Sequence, residues 1–449
     1  MCLRSRTAGP VRWGVACVAA VGVAACSSTG PPAGSTAASA LDNRYRQVNL
    51  AANDEAYKAR FTVPEMVNAW GIAIRPKGAG GHFWVSAGEA SYEFVGDVTA
   101  SGDQKLRELF QDPLKAVTIP GTDTKTDDTS VGKATGVIFN GADINSEKFL
   151  VTNQPAQVDG RTVTLGGSAR FIFVTDSGRI AAWGERSPDG TVVRVNGPSQ
   201  EVFNGEPQSM KFFGVALKQD SYDTLWTADF GAQPQIRQFD ENWKLVPTQG
   251  FANPFATGAP ADPADPVKGK LPMPGDPVPF NITTVGDRVF VAYAISKAPD
   301  KPVPGGPVFD AGEEDSLNKE QEKATRRHPN KGKLAEFTST GALVRVFEDD
   351  GRLNAPWGVT VAPASFGPLS GKVLVGNFGG AGRIAAFDDT TGKFVDYMRD
   401  EEGAPIGVDG IWNILFGNGE SLGDADTLYF AAGPADEKEA LFGALRMAR

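Results

Sequence analysis

The sequence predicts an all-β fold: a six-bladed β-propeller with four antiparallel strands per blade, closed into a ring by an N-terminal strand that joins the last blade. Three observations predict it. The phrase Gly-Arg-Ile-Ala-Ala-(Trp/Phe) occurs twice, at Gly178–Trp183 and Gly382–Phe387, and self-similarity at long range marks a repeat architecture. An opening of aromatic residue, Gly or Asn, and aliphatic residue recurs along the chain. Finally, 53 glycines and 31 prolines punctuate short β-type runs, and the one candidate helix is a short stretch at Glu313–Arg327.

Residues 1–25 read as an export signal. Arg4, Arg6 and Arg12 form a positive region, and Gly14–Ala25 is an apolar run of about a dozen residues, too short for a membrane span. The run ends in Val23-Ala24-Ala25-Cys26, the pattern of a lipoprotein signal whose Cys is lipidated and becomes the new N-terminus. Cys2 and Cys17 leave with the leader, so Cys26 is the only remaining thiol. Acyl chains on Cys26 would give stable anchoring, since each buried methylene contributes about 0.8 kcal/mol. Residues 26–42, containing the uncharged stretch Ser27–Ser39, form a flexible tether, and 43–449 form the propeller. The expected location is exported and membrane-anchored, in the cell envelope.

Tyr45–Leu50 precedes the first repeat without a partner of its own, and is expected to complete the last blade. The six openings are Trp70-Gly71-Ile72, Thr135-Gly136-Val137, Phe213-Gly214-Val215, Phe280-Asn281-Ile282, Trp357-Gly358-Val359 and Trp412-Asn413-Ile414. They lie 55–78 residues apart, longer than a plain blade because loops are inserted. Second strands follow at Phe83–Ser86, Arg170–Asp176, Thr224–Asp229, Arg288–Tyr293, Lys372–Asn377 and Thr427–Ala432. Third strands follow these, and fourth strands are expected at Thr191–Val195, Ala342–Phe347 and Lys393–Tyr397. The opening aromatics are read as packing residues, because one structural position repeated in successive units serves a core.

In a propeller, the links between blades and those from second to third strand emerge on one face. Gly250–Pro279 and Lys297–Lys331 are both such links, and the expectation is a lid over the channel mouth. Asp176, Asp229, Tyr293 and Asn377 end second strands there, while Asn68, Asn354 and Asp409 precede first strands. Oxygen ligands converging on a channel suit a hard cation such as Ca²⁺ or a polar small molecule. The competing reading is that Asn and Asp sit at strand ends because they form local turns.

The chain has 44 basic and 54 acidic side chains, and losing three arginines with the leader moves its net charge from −10 to −13. That balance opposes nucleic acid as a partner. Two histidines in different units, His82 and His328, provide no His-based metal centre, and neither a Gly-x-Ser-x-Gly elbow nor a phosphate-cradling loop is present. Glu437-Lys438-Glu439 reads as a solvated loop.

Several phrases resemble an uncharacterised bacterial exported family of NHL-like six-bladed propellers. They are Asn68–Ala73, Phe171–Trp183, Leu225–Phe230, Pro279–Ile282, Ala355–Gly367, Leu374–Asp388, Val408–Asn418 and Leu428–Pro434. The resemblance implies the fold and no particular reaction. Two departures stand out: Ala87 in Val85-Ser86-Ala87-Gly88 replaces an expected Asn, and the export signal is of lipoprotein type. The function expected is a lipid-anchored envelope propeller that binds a protein partner or a polar small ligand without catalysis. The alternative is a divalent-metal-dependent lactonase-like hydrolase, with Asp229, Asn354, Asn377 and Asp409 as ligands.

Overall fold

Each of the six repeated openings lies on the first strand of its own sheet. The computed structural model describes residues 42–125, 132–325 and 328–448; the leader, Cys26 and nearly all of the tether lie outside them. The first strands are Ala69–Ala73, Ala134–Phe139, Phe212–Leu217, Pro277–Val285, Pro356–Val361 and Ile411–Phe416. Each touches the first strands of the blades before and after it, and the sixth touches the first, so the cycle closes. Second and third strands follow antiparallel in every sheet, as in Thr224–Asp229 and Gln235–Asp240 of blade 3.

Fourth strands were read correctly at Leu343–Val346 and Phe394–Tyr397, and incorrectly in blade 2. There the outer strand is Gln200–Asn204, paired with Arg179–Ala182. Thr191–Val195 turns back on residues 185–187 instead. The Asp189 carboxylate accepts the Thr191 amide at 3.0 Å, and the Val193 amide donates to the Glu185 carbonyl at 2.7 Å. A Ser-Pro-Asp-Gly turn satisfies its own backbone locally and removes that run from the sheet. Blade 2 also carries an inserted hairpin, Leu150–Val158 with Arg161–Ser168.

The N-terminal strand, Tyr45–Ala52, is the outer strand of the last blade, antiparallel to Leu441–Met447. Phe61–Thr62 adds a short parallel strand outside it. Because the closing strand begins opposite Met447 and ends opposite Leu441, the chain enters it on the face away from the second-to-third-strand links. That entry face is called the bottom, and the face of the links the top.

The position after each opener explains why Gly alternates with Asn. A Cβ on Gly71 would stand 2.6 Å from the Thr135 carbonyl oxygen, and one on Gly358 would stand 2.5 Å from that of Trp412. The neighbouring first strand passes too closely for a side chain. Where Asn occupies the position, its amide bonds that strand: Asn281 Nδ2 donates to the Trp357 carbonyl at 2.8 Å, and Asn413 Nδ2 to the Ile72 carbonyl at 3.0 Å. Sheet faces meet in separate apolar clusters between blades, such as Trp84, Phe171, Phe173 and Trp183 between blades 1 and 2. Among the described residues no helix is long and apolar enough to cross a membrane.

Candidate binding faces at the two ends of the central channel

The opening aromatics pack, both between adjacent blades and across the axis. Trp70, Phe213, Phe280, Trp357 and Trp412 form one buried cluster with Phe230, and Phe378 packs against it. Trp412 is sandwiched, with its ring centroid 3.7 Å from Trp70 and 3.8 Å from Phe378, both near parallel. Phe213 lies 5.3 Å from Trp70 and 5.4 Å from Phe280. Large rings from five of the six blades therefore fill the axis. Blade 2, which opens with Thr135, supplies a hydroxyl that donates to the Phe212 carbonyl at 2.7 Å.

At the top mouth, each Asp and Asn singled out in the sequence has a protein hydrogen-bond partner. Asp229 is fully buried: Oδ1 accepts the Lys211 and Gly231 amides at 3.0 and 2.9 Å, and Oδ2 pairs with Arg237 at 2.8 Å. Burial pushes the Asp229 carboxyl up, while Arg237 and the two amides pull it back. Asp176 Oδ1 accepts the Lys133 amide at 2.5 Å, and burial likewise raises its carboxyl. Asn377 Oδ1 accepts the Asn354 amide at 2.9 Å. Asn354 in turn bonds both backbone groups of Leu317, accepting at 3.0 Å and donating at 2.8 Å. Asp409 Oδ2 accepts the Ala435 amide at 3.3 Å. Tyr293 points into the core instead, with its ring 4.9 Å from Phe255.

These oxygens aim at N–H groups on separate blades and do not converge. Among the described residues no three His, Cys, Asp or Glu side chains gather as a metal-ligand set. Asp229, Asn354, Asn377 and Asp409 each use a side-chain oxygen to accept a hydrogen bond from a protein N–H. His82 is also committed, with Nε2 2.9 Å from Asp112.

The segment Lys297–Lys331 crosses the top mouth from blade 4. It is tied to blade 3 by the Gly312 amide on the Phe230 carbonyl at 3.0 Å, and to blade 5 through Leu317 and the Glu322 carboxylate, which accepts the Ala381 amide at 3.0 Å. Its helix is shorter than expected, Lys319–Ala324, and starts at a capping box of Asn318 with Gln321. Residues 326–327 lie outside the described set.

Beside this crossing segment is a pocket of about 430 Å³, lined by Phe378, Asp409, Asp436, Glu437, Lys319 and Glu320 among others. Glu437 is no solvated loop residue. Its carboxylate accepts Asn68 Nδ2 at 2.6 Å, and Asn68 Oδ1 accepts the Trp412 indole N–H at 2.8 Å. Burial, with Glu314 and Asp176 nearby, pushes the Glu437 carboxyl up to about 7. Glu314 is pushed to about 7 by burial and by Glu313. Sequence reasoning missed this pocket because its acids come from three separate links. Part of its wall is the run Ala435, Asp436 and Glu437, all three non-glycine residues at positive φ.

The bottom end of the channel is a funnel of about 370 Å³ beneath Trp357. Ile74, Phe139, Val215, Ile282, Val359 and Leu415 contribute to its mainly aliphatic wall.

No protein-family model matches the chain. An uncharacterised protein of Acanthamoeba polyphaga mimivirus is 26% identical over 404 residues, covering 89% of this chain and 80% of that protein. A second uncharacterised protein of the same virus is 30% identical over 223 residues, half of this chain and 49% of that protein. Among solved structures, the WD40 β-propeller domain of Doa1 aligns with a TM-score of 0.40 at 11% identity, covering 85% of this chain and 94% of the domain. A protein of unknown function from Bacteroides thetaiotaomicron aligns at 0.39 and 10% identity, covering 85% and 70%.

Proposed function

We propose that this protein is an exported, lipid-anchored propeller that binds a protein partner through its top face, without catalysis. The observation that carries the reading is where exposed apolar side chains occur. Val267, Leu271 and Met273 on one top-face link, and Val303 and Val308 on the other, are exposed by half or more of their surface. Single exposed apolar residues are ordinary, but their concentration on two inserted links is a mark of an interaction surface. The two links are stitched at their roots, where the Gly275 amide donates to the Ser296 carbonyl at 2.9 Å and the Ser296 amide to Asp276 at 3.0 Å. The acidic pocket alongside, with Phe378 in its wall, suits a basic side chain of the partner.

Anchoring rests on the Val23-Ala24-Ala25-Cys26 pattern. Cys26→Ser is expected to move the protein from the membrane fraction to the soluble fraction; unchanged membrane retention would remove the anchor from the proposal.

The partner face is tested with photo-crosslinking residues at Leu271, at Val303 and, as a bottom-face control, at Asp287. Discrete protein adducts are expected from the first two positions and none from the third, with loss of adducts in Leu271→Asp and Val303→Asp. The same adducts from both faces, or none from the top, would count against it.

A further inference from the structure

Trp84 faces Glu93 and Ser86 faces Ser91 as cross-strand partners in blade 1, so the four side chains share one side of that sheet. Trp84 belongs to the cluster between blades 1 and 2, so this side is pressed against blade 2. Ser86, Ser91 and Glu93 have no solvent exposure. Both Glu93 carboxyl oxygens, the two hydroxyls, and the indole N–H groups of Trp84 and Trp183 lack a protein hydrogen-bond partner. So many orphaned polar atoms on one seam call for a ligand that can satisfy them.

The charged groups around the seam do not supply it. At its bottom rim Arg75 and Arg194 both pair with Glu185, at 2.7 and 2.9 Å, and His82 pairs with Asp112 at 2.9 Å. Lys115, one register step further out, is exposed. Blade 2 packs Val137, Phe171, Phe173 and Trp183 against Trp84, and the polar groups that act on the Glu93 carboxyl are Ser91 and Asp112, neither of them a cation. Glu93 therefore has no cation to pair with, and an isolated carboxylate in such a place takes up a proton.

We propose that the seam between blades 1 and 2 is an internal water-binding site, with Glu93, Ser86 and Ser91 as its polar wall. A protonated carboxyl and two hydroxyls each donate and accept, and two indoles donate, which is the complement that buried water satisfies. A metal ion would need more than one carboxylate, and an anion would be opposed by Glu93 and Asp112. Burial holds the Glu93 carboxyl well above the usual range; Ser91 opposes the rise, and Asp112 adds to it to a smaller extent. The sign of the linkage follows. The Glu93 contribution is complete below the ordinary carboxylate range, about pH 4.3, and is lost as pH rises toward the folded-state value. The seam thus weakens with alkalinity.

The test uses the full chain and Glu93→Gln, with Ser91→Ala as a second variant should the first fail to fold. Infrared spectra at neutral pH should show a protonated-carboxyl band that Glu93→Gln lacks and that Ser91→Ala shifts. Between about pH 5 and about pH 8 the wild type should lose stability relative to Glu93→Gln. A high-resolution crystal structure should show ordered water bonded to Glu93 and a serine. A dry seam, no such band, or a stability difference that does not change with pH would overturn the proposal.

Discussion

Deleting Tyr45–Ala52 is expected to abolish cooperative folding of the ring, and Tyr45→Ala alone to cost about 3–5 kcal/mol. The strand does more than complete a sheet. Tyr45 is buried, its ring stacks on Phe366 at 4.7 Å, and its hydroxyl donates to the Phe366 carbonyl at 3.0 Å. Phe366 lies just beyond the first strand of blade 5, so this one side chain braces two blades. Leu50 and Ala51 enter the core between blades 6 and 1, while Tyr45 and Ala52 enter the core between blades 5 and 6. Asn43 adds bonds to the Arg399 amide and to Asp396, both at 3.0 Å. Without the strand, Leu441–Met447 becomes a bare edge in the blade where the two ends of the ring meet. Urea unfolding of the deletion variant, and proteolysis within Leu441–Met447, measure this. A deletion variant with the wild-type midpoint would show that the ring closes without its closing strand. Tyr45→Phe keeps the stack and loses one hydrogen bond, so its cost should be only about 0.5–1.5 kcal/mol.

Trp412→Ala should destabilise the protein by about 3–5 kcal/mol, a large effect for one side chain on the channel axis. Trp412 is the middle ring of the Trp70–Trp412–Phe378 stack and also meets Phe280 at 5.9 Å and Trp357 at 6.2 Å. Removing it opens a cavity where rings from different blades converge, and these are held by the ring itself and cannot collapse onto one another. Trp412→Phe preserves much of the stack but leaves Asn68 Oδ1 without its indole donor, a loss of about 1–3 kcal/mol. Because Asn68 also holds Glu437, both variants should loosen the acidic top pocket. Equilibrium unfolding gives the first quantity, and hydrogen exchange at residues 433–439 gives the second. A cost below about 1 kcal/mol for Trp412→Ala would mean that the axis is not closed by packing.

The fold was legible because its determinants are local and repeated. An aromatic followed by Gly or Asn marks a first strand each time, since every first strand meets the same crowding from its neighbour, as Gly71 meets Thr135 and Asn281 meets Trp357. The closing strand was legible for a related reason: Tyr45–Leu50 is a β-type run with no partner nearby in the chain. The blade 2 outer strand was misread because Thr191–Val195 has β-type residues, while the Ser187–Gly190 turn before it satisfies its own hydrogen bonds.

The candidate site was much less legible. Asp229, Asn354 and Asn377 were correctly placed at the top, yet what each does depends on which N–H group faces it. Those donors are the amides of Lys211, Leu317 and Asn354, distant or unremarkable in the chain. Glu437 was read as part of a solvated loop and Phe378 drew no attention, although both line the pocket where three links meet. Glu93 alternates with apolar neighbours like any strand residue, and nothing in its local sequence reveals that blade 2 offers it no partner.

Repetition along the chain was therefore enough to determine the number of blades, the order of strands and the manner of closure, because backbone hydrogen bonding and close approach impose the same demand at every repeat. Only the tertiary structure decided that the aromatics fill the axis, that the predicted oxygen ligands are occupied by amides, and that one carboxyl is sealed between two blades. Those outcomes depend on side chains brought together from separate blades, and the energy of a buried polar group is set by the neighbours it meets in space.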